Sequence, residues 1–465
     1  MRCLFLHLPK TVGERNEIMA LPMGLLSLAG FVRARGHAVE LVHAGLMGDA
    51  RTGFDPVAFV ARRHPPAVFL DLHWARQARP VIDFARALKR VRPGVAVVLG
   101  GFTASFFAEE IVSGFRDVDA VVRGDGEVPV AALVERIGRG EQDWSGVPNL
   151  VHRSRGRVET NPATFAVDPR FAEGLDHACF ELLARRGEYL RRCLYADFDT
   201  STAAGARHRY AGAFFYNPGK GCPFLCRSCG GTWWARSLVR APRHFYFFSP
   251  EKVLRDLLKA HGLGAATWRV SFDPLRKRDF YLEVFARLRA AGVRLRLVFD
   301  CFPLPDAAFL HAVARTFTPD SVIVLSAECG SERVRRLNRS PYFGNAHLLR
   351  AVRSIEEAGL EAHVFLSAGL PFETREDLGE TAALIRALRA RDRVGITVCP
   401  MELDPGSLIF RHPERYGVRP KLRTFRDFYR DGLDESRPFY GTEHLREPEI
   451  LAAIARLRRV ANDAG

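Results

Sequence analysis

No apolar run in the 465-residue sequence approaches the ~20 residues that a membrane-spanning helix needs, so no membrane span is expected. The opening Met1-Arg2-Cys3-Leu4-Phe5-Leu6-His7-Leu8 is too short for a secretory leader and reads as a first strand. Cysteine is sparse. Nine in a chain of this length do not make a disulfide scaffold; they suit a reducing cytosol, and a cytoplasmic location is expected. Outside one triplet, Cys3, Cys179, Cys193, Cys301, Cys329 and Cys399 form no Cys-x2-Cys pair, which leaves a second metal cluster without a visible ligand set. A basic tail is also missing. The net charge of +15 is spread over scattered arginines, with only short pairs such as Arg191-Arg192 and Arg335-Arg336. That pattern reads as a solvated surface, and no nucleic-acid partner is expected. Composition is otherwise ordinary for a globular chain, 47% hydrophobic and 26% charged, and the length suits two or three domains.

What the chain does have is one dense cysteine loop, Gly221-Cys222-Pro223-Phe224-Leu225-Cys226-Arg227-Ser228-Cys229-Gly230-Gly231. The apolar Ala213-Phe214-Phe215-Tyr216 before it reads as a buried strand, which Pro218 and Gly219 end. Three thiols on one short loop can converge on a single site. Structural zinc takes four protein ligands. An iron–sulfur cube takes one thiolate per iron, so three cysteines leave one iron open to a chelating small molecule. A zinc knuckle or three unrelated buried thiols are the alternatives. Of the cysteines elsewhere, Cys179 and Cys193 read as structural. Cys301 and Cys329 read as small buried residues near strand ends.

Residues 1–150 alternate strand and helix. Strands are expected over 3–8, 38–42, 67–72, 95–99 and 120–122, with amphipathic helices over 25–35, 80–90 and 106–113. This spacing argues for a doubly wound parallel sheet, in which ligands bind beyond the C-terminal strand ends. Those ends carry Pro22-Met23-Gly24, Leu72-His73-Trp74, Gly100-Gly101-Phe102-Thr103 and Arg123-Gly124-Asp125-Gly126-Glu127. Gly100 and Gly101 let backbone approach a flat ligand, and Thr103 is expected to cap the next helix. Gly124 and Gly126 allow a tight turn with Glu127 beside it. A connector follows, with a hairpin at Arg155-Gly156-Arg157 and a helix over 180–189.

A second series starts near Arg209, with strands expected over 213–216, 268–272, 295–299, 322–325, 362–366 and 394–398, and helices between them. Informative strand ends are Phe272-Asp273-Pro274, Asp300, and Ser326-Ala327-Glu328-Cys329-Gly330-Ser331 with Arg339 downstream. Gly369-Leu370-Pro371-Phe372-Glu373-Thr374 and Met401-Glu402-Leu403-Asp404-Pro405-Gly406-Ser407 follow. In β/α barrels such ends carry the chemistry. Glu373 reads as a helix-start carboxylate. Trp233-Trp234 and Phe245-Tyr246-Phe247-Phe248 suit an aromatic pocket or plain core packing.

The cysteine triplet with Gly230-Gly231 resembles the radical S-adenosylmethionine (SAM) superfamily, whose open iron binds the amino and carboxylate groups of SAM. The glycine-marked strand ends of residues 1–150 resemble the cobalamin-binding domain found upstream of many radical SAM modules, most strongly over 97–105 and 119–129. The resemblance implies an N-terminal Rossmann-like α/β sheet, a partial (β/α)6 TIM-like barrel and a small C-terminal helical region. The domains are then 1–150 for cobalamin, 151–208 as connector, 209–404 as barrel and 405–465 as a cap that closes the barrel. Implied cofactors are a [4Fe-4S] cluster on Cys222, Cys226 and Cys229, SAM, and cobalamin.

Carried over residue by residue, Glu328 meets the ribose hydroxyls or amino group of SAM and Arg339 its carboxylate. The backbone of the Gly369 segment, which resembles the family's G-x-P-x-E-T, packs along the adenine. Gly24, Gly100, Gly101, Thr103, Gly124, Gly126 and Glu127 belong to the cobalamin cradle. The family's histidine-ligated domains carry D-x-H-x-x-G after the first strand. Here Pro9-Lys10-Thr11 stands there, and Asp71-Leu72-His73 follows the third strand with Arg76 in place of the glycine. His73 and Trp74 are therefore read as walls near the corrin, with no histidine below the cobalt.

The implied reaction is one-electron cleavage of SAM to a 5′-deoxyadenosyl radical, hydrogen abstraction from an unactivated carbon of a small-molecule substrate, and methyl transfer from cobalamin. An external donor such as flavodoxin or ferredoxin supplies the electron. Rearrangement, ring contraction or cyclisation with the same cofactors is one alternative; a non-catalytic cobalamin- or cluster-binding sensor is the other.

Overall fold

The computed structural model describes residues 1–9, 20–47, 54–192, 212–238, 245–271, 278–391, 393–431 and 437–462. The chain divides into two compact units. No helix among the described residues is long and apolar enough to cross a membrane.

The first unit is built on β1 (Arg2–His7), β2 (Ala38–His43), β3 (Ala67–Asp71), β4 (Ala96–Gly100), β5 (Ala120–Val122), β6 (Leu150–Ser154) and β7 (Arg157–Thr160). They pair in the order β2-β1-β3-β4-β5-β6-β7. β1 to β5 are parallel, and β6 and β7 are antiparallel. Strand β3 is buried throughout, as an apolar run covered by helices on both faces must be. Between β1 and β3 the order reverses, which opens a crevice at the strand ends. The helix Ala78–Val91 shows how sequence sets the layer: Val81, Ile82, Ala85 and Leu88 fall on one face and are buried.

Three details differ from the sequence reading. The hairpin at Arg155-Gly156 forms, both residues having positive φ (47° and 81°), as a two-residue turn between right-twisted strands requires. Its strands, however, extend the first sheet, because β6 pairs with β5. The helix expected over 106–113 is two short helices, Phe102–Phe106 and Ala108–Gly114, hinged at Phe107. The helix expected over 180–189 is a 3-10 turn at Phe180–Leu182 followed by Arg186–Arg192.

The second unit holds β8 (Ala213–Phe215), a ribbon of β9 (Gly219–Lys220) with β10 (Tyr246–Phe247), and then β11 (Thr267–Val270), β12 (Arg296–Cys301), β13 (Val322–Glu328), β14 (Glu361–Ala368) and β15 (Val394–Pro400). β8 and β11 to β15 form a six-stranded parallel sheet in sequential order. The two outer strands, β8 and β15, do not pair with each other, so the arrangement is an open (β/α)6 barrel.

Register separates the faces of this sheet. Trp268 and Phe299 turn to the helices, where they meet Phe285, Phe317 and Phe309. The opposite face has Val298, Val322 and Val324 at its core with Phe215 and Phe365 packed on them. That same face carries Arg269, Asp300, Ser326, His363, Thr397 and Cys399. A small ribbon, β16 (Val418–Pro420) with β17 (Tyr440–Thr442), follows.

The C-terminal stretch expected to cap the barrel divides. Helix Glu447–Asn462 covers β15, with Arg458 Nε donating to the Val398 carbonyl at 2.8 Å. Helix Phe425–Asp431 belongs to the first unit. There Phe425 packs against Phe107 and Phe115, Phe428 against Phe107, and Glu110 accepts the Phe425 N–H at 2.8 Å.

Candidate active site and cofactor cradles

The cysteine loop leaves the end of β8 through β9. Gly219 is required there, since a Cβ would lie 2.2 Å from the Tyr246 carbonyl oxygen. The loop is strapped to later barrel loops: Arg227 N–H donates to Asn338 O at 3.0 Å, the Cys226 thiol donates to Ser340 O at 3.1 Å, and Ile409 N–H donates to Arg227 O at 3.2 Å. Gly230 N–H donates to the Asp404 carboxylate at 2.8 Å, and a Cβ at Gly230 would stand 3.0 Å from the Asp404 Cβ. Gly231 N–H donates to Cys229 Sγ at 3.2 Å. The expected glycine pair thus acts through its backbone: one N–H anchors the loop and the other meets a ligand sulfur. Asp404 is a clamp that sequence reasoning quoted only as part of a motif.

Cys222 and Cys226 lie near enough to Cys229 for their charges to act on it. Burial raises the Cys226 thiol's pKa, and Arg339 opposes the shift. Cys229 is pushed well above the usual thiol range, by desolvation first and then by Asp404, Cys226 and Cys222. Sulfurs that raise one another's pKa need positive charge to become thiolates together, and iron supplies it. The donor set fits a cluster held by three thiolates.

Glu328 and Arg339 meet each other. The register of β13 shifts between Ser326 and Glu328, and Glu328 takes a left-handed backbone with φ 65°. A non-glycine residue there costs about 1–2 kcal/mol. Arg339 Nη1 donates to Glu328 Oε1 and Nη2 to the Phe302 carbonyl, both at 3.0 Å. The arginine side chain is 3% exposed and the glutamate 23%. The Glu328 charge acts on both Cys226 and Cys399, which sets it at the barrel mouth beside the cysteine loop.

Gly369, at φ 83°, opens the turn after β14; a Cβ there would strike Ile450 at 2.8 Å and the Tyr440 hydroxyl at 2.9 Å. Glu373 does not cap the next helix. It is fully buried and accepts the N–H groups of Gly369 at 2.7 Å and Leu370 at 3.3 Å. Burial pushes its carboxyl up to about 8. The cap of helix Arg375–Arg389 is Thr374, paired reciprocally with Asp377. Phe272-Asp273-Pro274 lies outside the described residues, as does Cys193. Cys301 and Cys329 are buried, as expected. Of the aromatic candidates, Phe247 packs on Phe280 and Tyr281, which is core packing.

In the first unit, Gly101 has φ 103°, and a Cβ would sit 2.9 Å from the Leu72 carbonyl. The turns after β3 and β4 interlock there, Ala104 N–H donating to Leu72 O and Thr103 N–H to His73 O. Gly100 and Gly24 differ: a Cβ at either meets nothing within 4 Å, so their backbone faces open space. Gly124, at φ 69°, donates its N–H to Ser105 Oγ at 2.9 Å. Gly126 precedes helix Glu127–Gly138, and Glu127 is buried with Ser27 Oγ 3.5 Å away. Thr103 is not a cap. It sits inside helix Phe102–Phe106, and its hydroxyl donates to His73 O at 2.9 Å, tying the two turns together. His73 stands edge-on to Trp74 at 4.8 Å, and burial lowers its pKa, which keeps it neutral. A backbone that leaves open space at Gly24 and at Gly100 fits a large flat ligand.

Sequence reasoning missed one group here. His7, at the end of β1, is fully buried, with Nδ1 2.9 Å from the Asp71 carboxylate on β3. Gln77 Nε2 donates to the same carboxylate at 3.2 Å and to Leu8 O at 3.0 Å, while its Oε1 accepts the N–H groups of His73 and Trp74. The available signal was a polar residue ending an otherwise apolar strand.

The comparisons agree with both halves. The family model described as B12 binding domain matches residues 14–134, and that of the Radical SAM superfamily matches residues 216–385. The chain thus carries a B12 binding domain ahead of a radical SAM domain. Its cofactors are cobalamin, SAM and a [4Fe-4S] cluster.

Among curated relatives, the anaerobic magnesium-protoporphyrin IX monomethyl ester cyclase of Synechocystis is 28% identical over 53% of this chain and 45% of its own length. An uncharacterized methyltransferase of Pyrococcus horikoshii is 27% identical over 83% of this chain and 78% of its own. The hopanoid C-3 methylase of Methylococcus capsulatus is 24% identical over 51% and 39%. The chain thus spans less than half the length of the cyclase and the hopanoid methylase. In fold it is similar to the radical SAM methyltransferase TsrM of Kitasatospora setae, with a TM-score of 0.67 over 99% of this chain and 89% of that one at 18% identity. It is also similar to the cobalamin-dependent enzyme OxsB, with a TM-score of 0.67 over 97% and 66% at 13% identity.

Proposed function

We propose that this protein is a cobalamin-dependent radical SAM methyltransferase that methylates an unactivated carbon of a small molecule. The observation that carries the reading is the pairing, in one chain, of a three-thiol loop at the mouth of an open parallel barrel with a glycine-lined crevice in a B12 binding domain. When bound, the cluster, SAM and cobalamin supply an electron, a radical precursor and a transferable methyl group.

The chain's own part is to hold, orient and exclude water. Cys222, Cys226 and Cys229 would hold the cluster and leave one iron open to SAM. Glu328 would receive the amino group or ribose hydroxyls of SAM, and Arg339, held beside it by their ion pair, would meet the SAM carboxylate. The Gly369–Leu370 backbone, whose N–H groups Glu373 accepts, would lie along the adenine. Gly24, Gly100, Gly101, Thr103, Gly124, Gly126 and Glu127 shape the cobalamin cradle, with His73 and Trp74 as its walls. As functional segments we propose 1–150, 151–208, 209–404 and 405–465, with hairpin β6–β7 and helix Phe425–Asp431 folding as parts of the first unit. An external one-electron donor and a cytoplasmic setting complete the reading.

The cyclases among the relatives support a second reading, ring formation without methyl transfer. Anaerobic reconstitution with iron, sulfide and cobalamin, followed by incubation with deuteromethyl SAM and metabolites of neighbouring genes, separates the two. A product carrying the labelled methyl, formed together with 5′-deoxyadenosine, is expected. An unlabelled isomer or cyclised product overturns methyl transfer.

A further inference from the structure

Three polar side chains lie buried together at the strand ends of the B12 binding domain. His7 ends β1 and Asp71 ends the adjacent β3. His7 Nδ1 donates to the Asp71 carboxylate, both of whose oxygens lie 2.9 Å away, and Gln77 Nε2 donates to it at 3.2 Å. Burial works to raise the Asp71 pKa, but the neighbouring His7 and the hydrogen bonds from His7 and Gln77 outweigh it and hold the carboxyl below its usual range. Gln77 joins this pair to the turn that follows β3. Its Oε1 accepts the N–H of His73 at 2.9 Å and that of Trp74 at 3.0 Å, and its Nε2 also donates to the Leu8 carbonyl at 3.0 Å.

The rest of that turn's backbone is committed as well. Leu72 N–H donates to Gly100 O, Leu72 O accepts the Ala104 N–H, His73 O accepts the Thr103 N–H and hydroxyl, and Trp74 O accepts the Gln77 N–H. Every backbone N–H and C=O from 72 to 74 is therefore satisfied within the chain, and what the turn has left to offer a ligand is its rings. His73 and Trp74 are half-buried and stand edge-on at 4.8 Å, with Phe102 6.4 Å from His73. Stability alone does not account for the group beneath them. His7 Nε2 is buried with no hydrogen-bond partner among the described residues, an arrangement that costs stability. Apolar side chains of similar shape would serve a plain core as well or better. What the polar group provides is a fixed backbone under two aromatic side chains, and a surface ordered before binding loses less entropy on binding.

We propose that His7, Asp71 and Gln77 are positioning residues for cobalamin: together they form a buried brace that holds the His73–Trp74 turn as a preformed aromatic seat for the corrin. This rests on the reading above of His73 and Trp74 as walls of the cradle. The three act through the turn and need not touch the cofactor. Gln77 is the joint, since one amide group both fixes the carboxylate and holds the two N–H groups of the seat. When the joint is broken the turn loosens, and cobalamin then has to order its own seat as it binds.

The test uses the full chain with hydroxocobalamin as the probe. Equilibrium dialysis gives affinity, the visible and electron paramagnetic resonance spectra of the bound Co(II) form report the corrin's surroundings, and urea unfolding gives stability separately. Gln77→Glu keeps an acceptor for the turn but sets a second carboxylate against Asp71; it should weaken binding about 10-fold or more and change the Co(II) spectra. Asp71→Asn keeps an acceptor for His7 and should cost less. Combining Asp71→Asn with Gln77→Glu again sets one donor against one carboxylate, and should recover most of the affinity and the wild-type spectra. Gln77→Ala serves if Gln77→Glu fails to fold, and should weaken binding by a similar factor. Variants that lose stability yet bind cobalamin with wild-type affinity and spectra overturn the proposal, and so does a double variant that binds no tighter than Gln77→Glu. If His73→Ala and Trp74→Ala leave both readouts unchanged while the brace variants still act, the turn is not the seat, and the proposal falls with the wall reading. A wild-type chain that binds no cobalamin would remove the cobalamin reading itself, a result separate from any of these.

Discussion

The two parallel sheets of this chain solve different problems with the same strand–helix repeat. In the first, the strand order reverses between β1 and β3, and the crevice beyond the strand ends is shaped by glycines, with the buried Asp71 satisfied by His7 and Gln77. In the second, the order runs on without reversal, the sheet curls, and its mouth gathers three thiols and the Glu328–Arg339 pair. One end accommodates a large ligand by backbone shape; the other concentrates charge and metal-binding sulfur. The difference teaches where each site should be fragile: the first to added atoms, the second to lost functional groups.

The sharpest break should come at the second sheet. Cys222→Ala, Cys226→Ala or Cys229→Ala is expected to reduce iron incorporation and 5′-deoxyadenosine formation to background, with far-ultraviolet circular dichroism unchanged. A variant that still assembles a full cluster and cleaves SAM would remove that cysteine from the ligand set.

At the first sheet, two adjacent glycines should behave oppositely. Gly101→Ala forces a Cβ within 3 Å of the Leu72 backbone at φ 103°, and should destabilise the unit by about 2–4 kcal/mol in urea unfolding. Gly100→Ala meets nothing and should stay within about 0.5 kcal/mol of wild type, yet weaken cobalamin binding in equilibrium dialysis. Equal stability losses at both positions would contradict the idea that one glycine serves the fold and the other the ligand.

A smaller effect is expected at the barrel rim. Arg339→Gln leaves Glu328 without its cation and removes the proposed carboxylate partner, so SAM affinity measured by calorimetry should fall at least ~10-fold. Unchanged affinity would reduce the pair to a structural tie.

The mildest test is pH. The Glu373 carboxyl is raised from 4.5 to about 8 in the folded chain, so folding favours its protonated form. Its contribution to stability is complete below the unfolded value and is lost as pH rises through about 8. Glu373→Gln keeps an acceptor for the Gly369 N–H and should flatten the melting-temperature profile between about pH 4.5 and about pH 8. A profile that still falls as steeply would assign the titration to another group.

Much of this was legible in advance because buried parallel strands are written as apolar runs and breakers mark their ends. The cysteine loop, its strand and the six barrel strands appear where their patterns place them, within about three residues at either end. What escaped was pairing across distance. The His7–Asp71 contact joins residues 64 apart, and only the adjacency of β1 and β3 brings them together. Thr103 after a glycine pair looks like a cap, but the left-handed turn at Gly101 moves the helix start forward and turns the hydroxyl back to His73. Glu373 sits where a helix-start carboxylate would, yet the positive φ of Gly369 turns two N–H groups toward it first. The aromatic spacing of 425–429 announces a helix without saying which core it fills.

That last helix bears on how the molecule can be divided. Phe425, Phe428 and Tyr429 complete an aromatic cluster with Phe107 and Phe115, and Tyr429 also bonds to Arg86 and Asp83. The polypeptide leaves the first unit, builds most of the barrel, and returns to finish what it began. A truncation before the barrel therefore strips a wall from the cobalamin-binding half, and a fragment meant to bind cobalamin should carry residues 425–431 as a second piece.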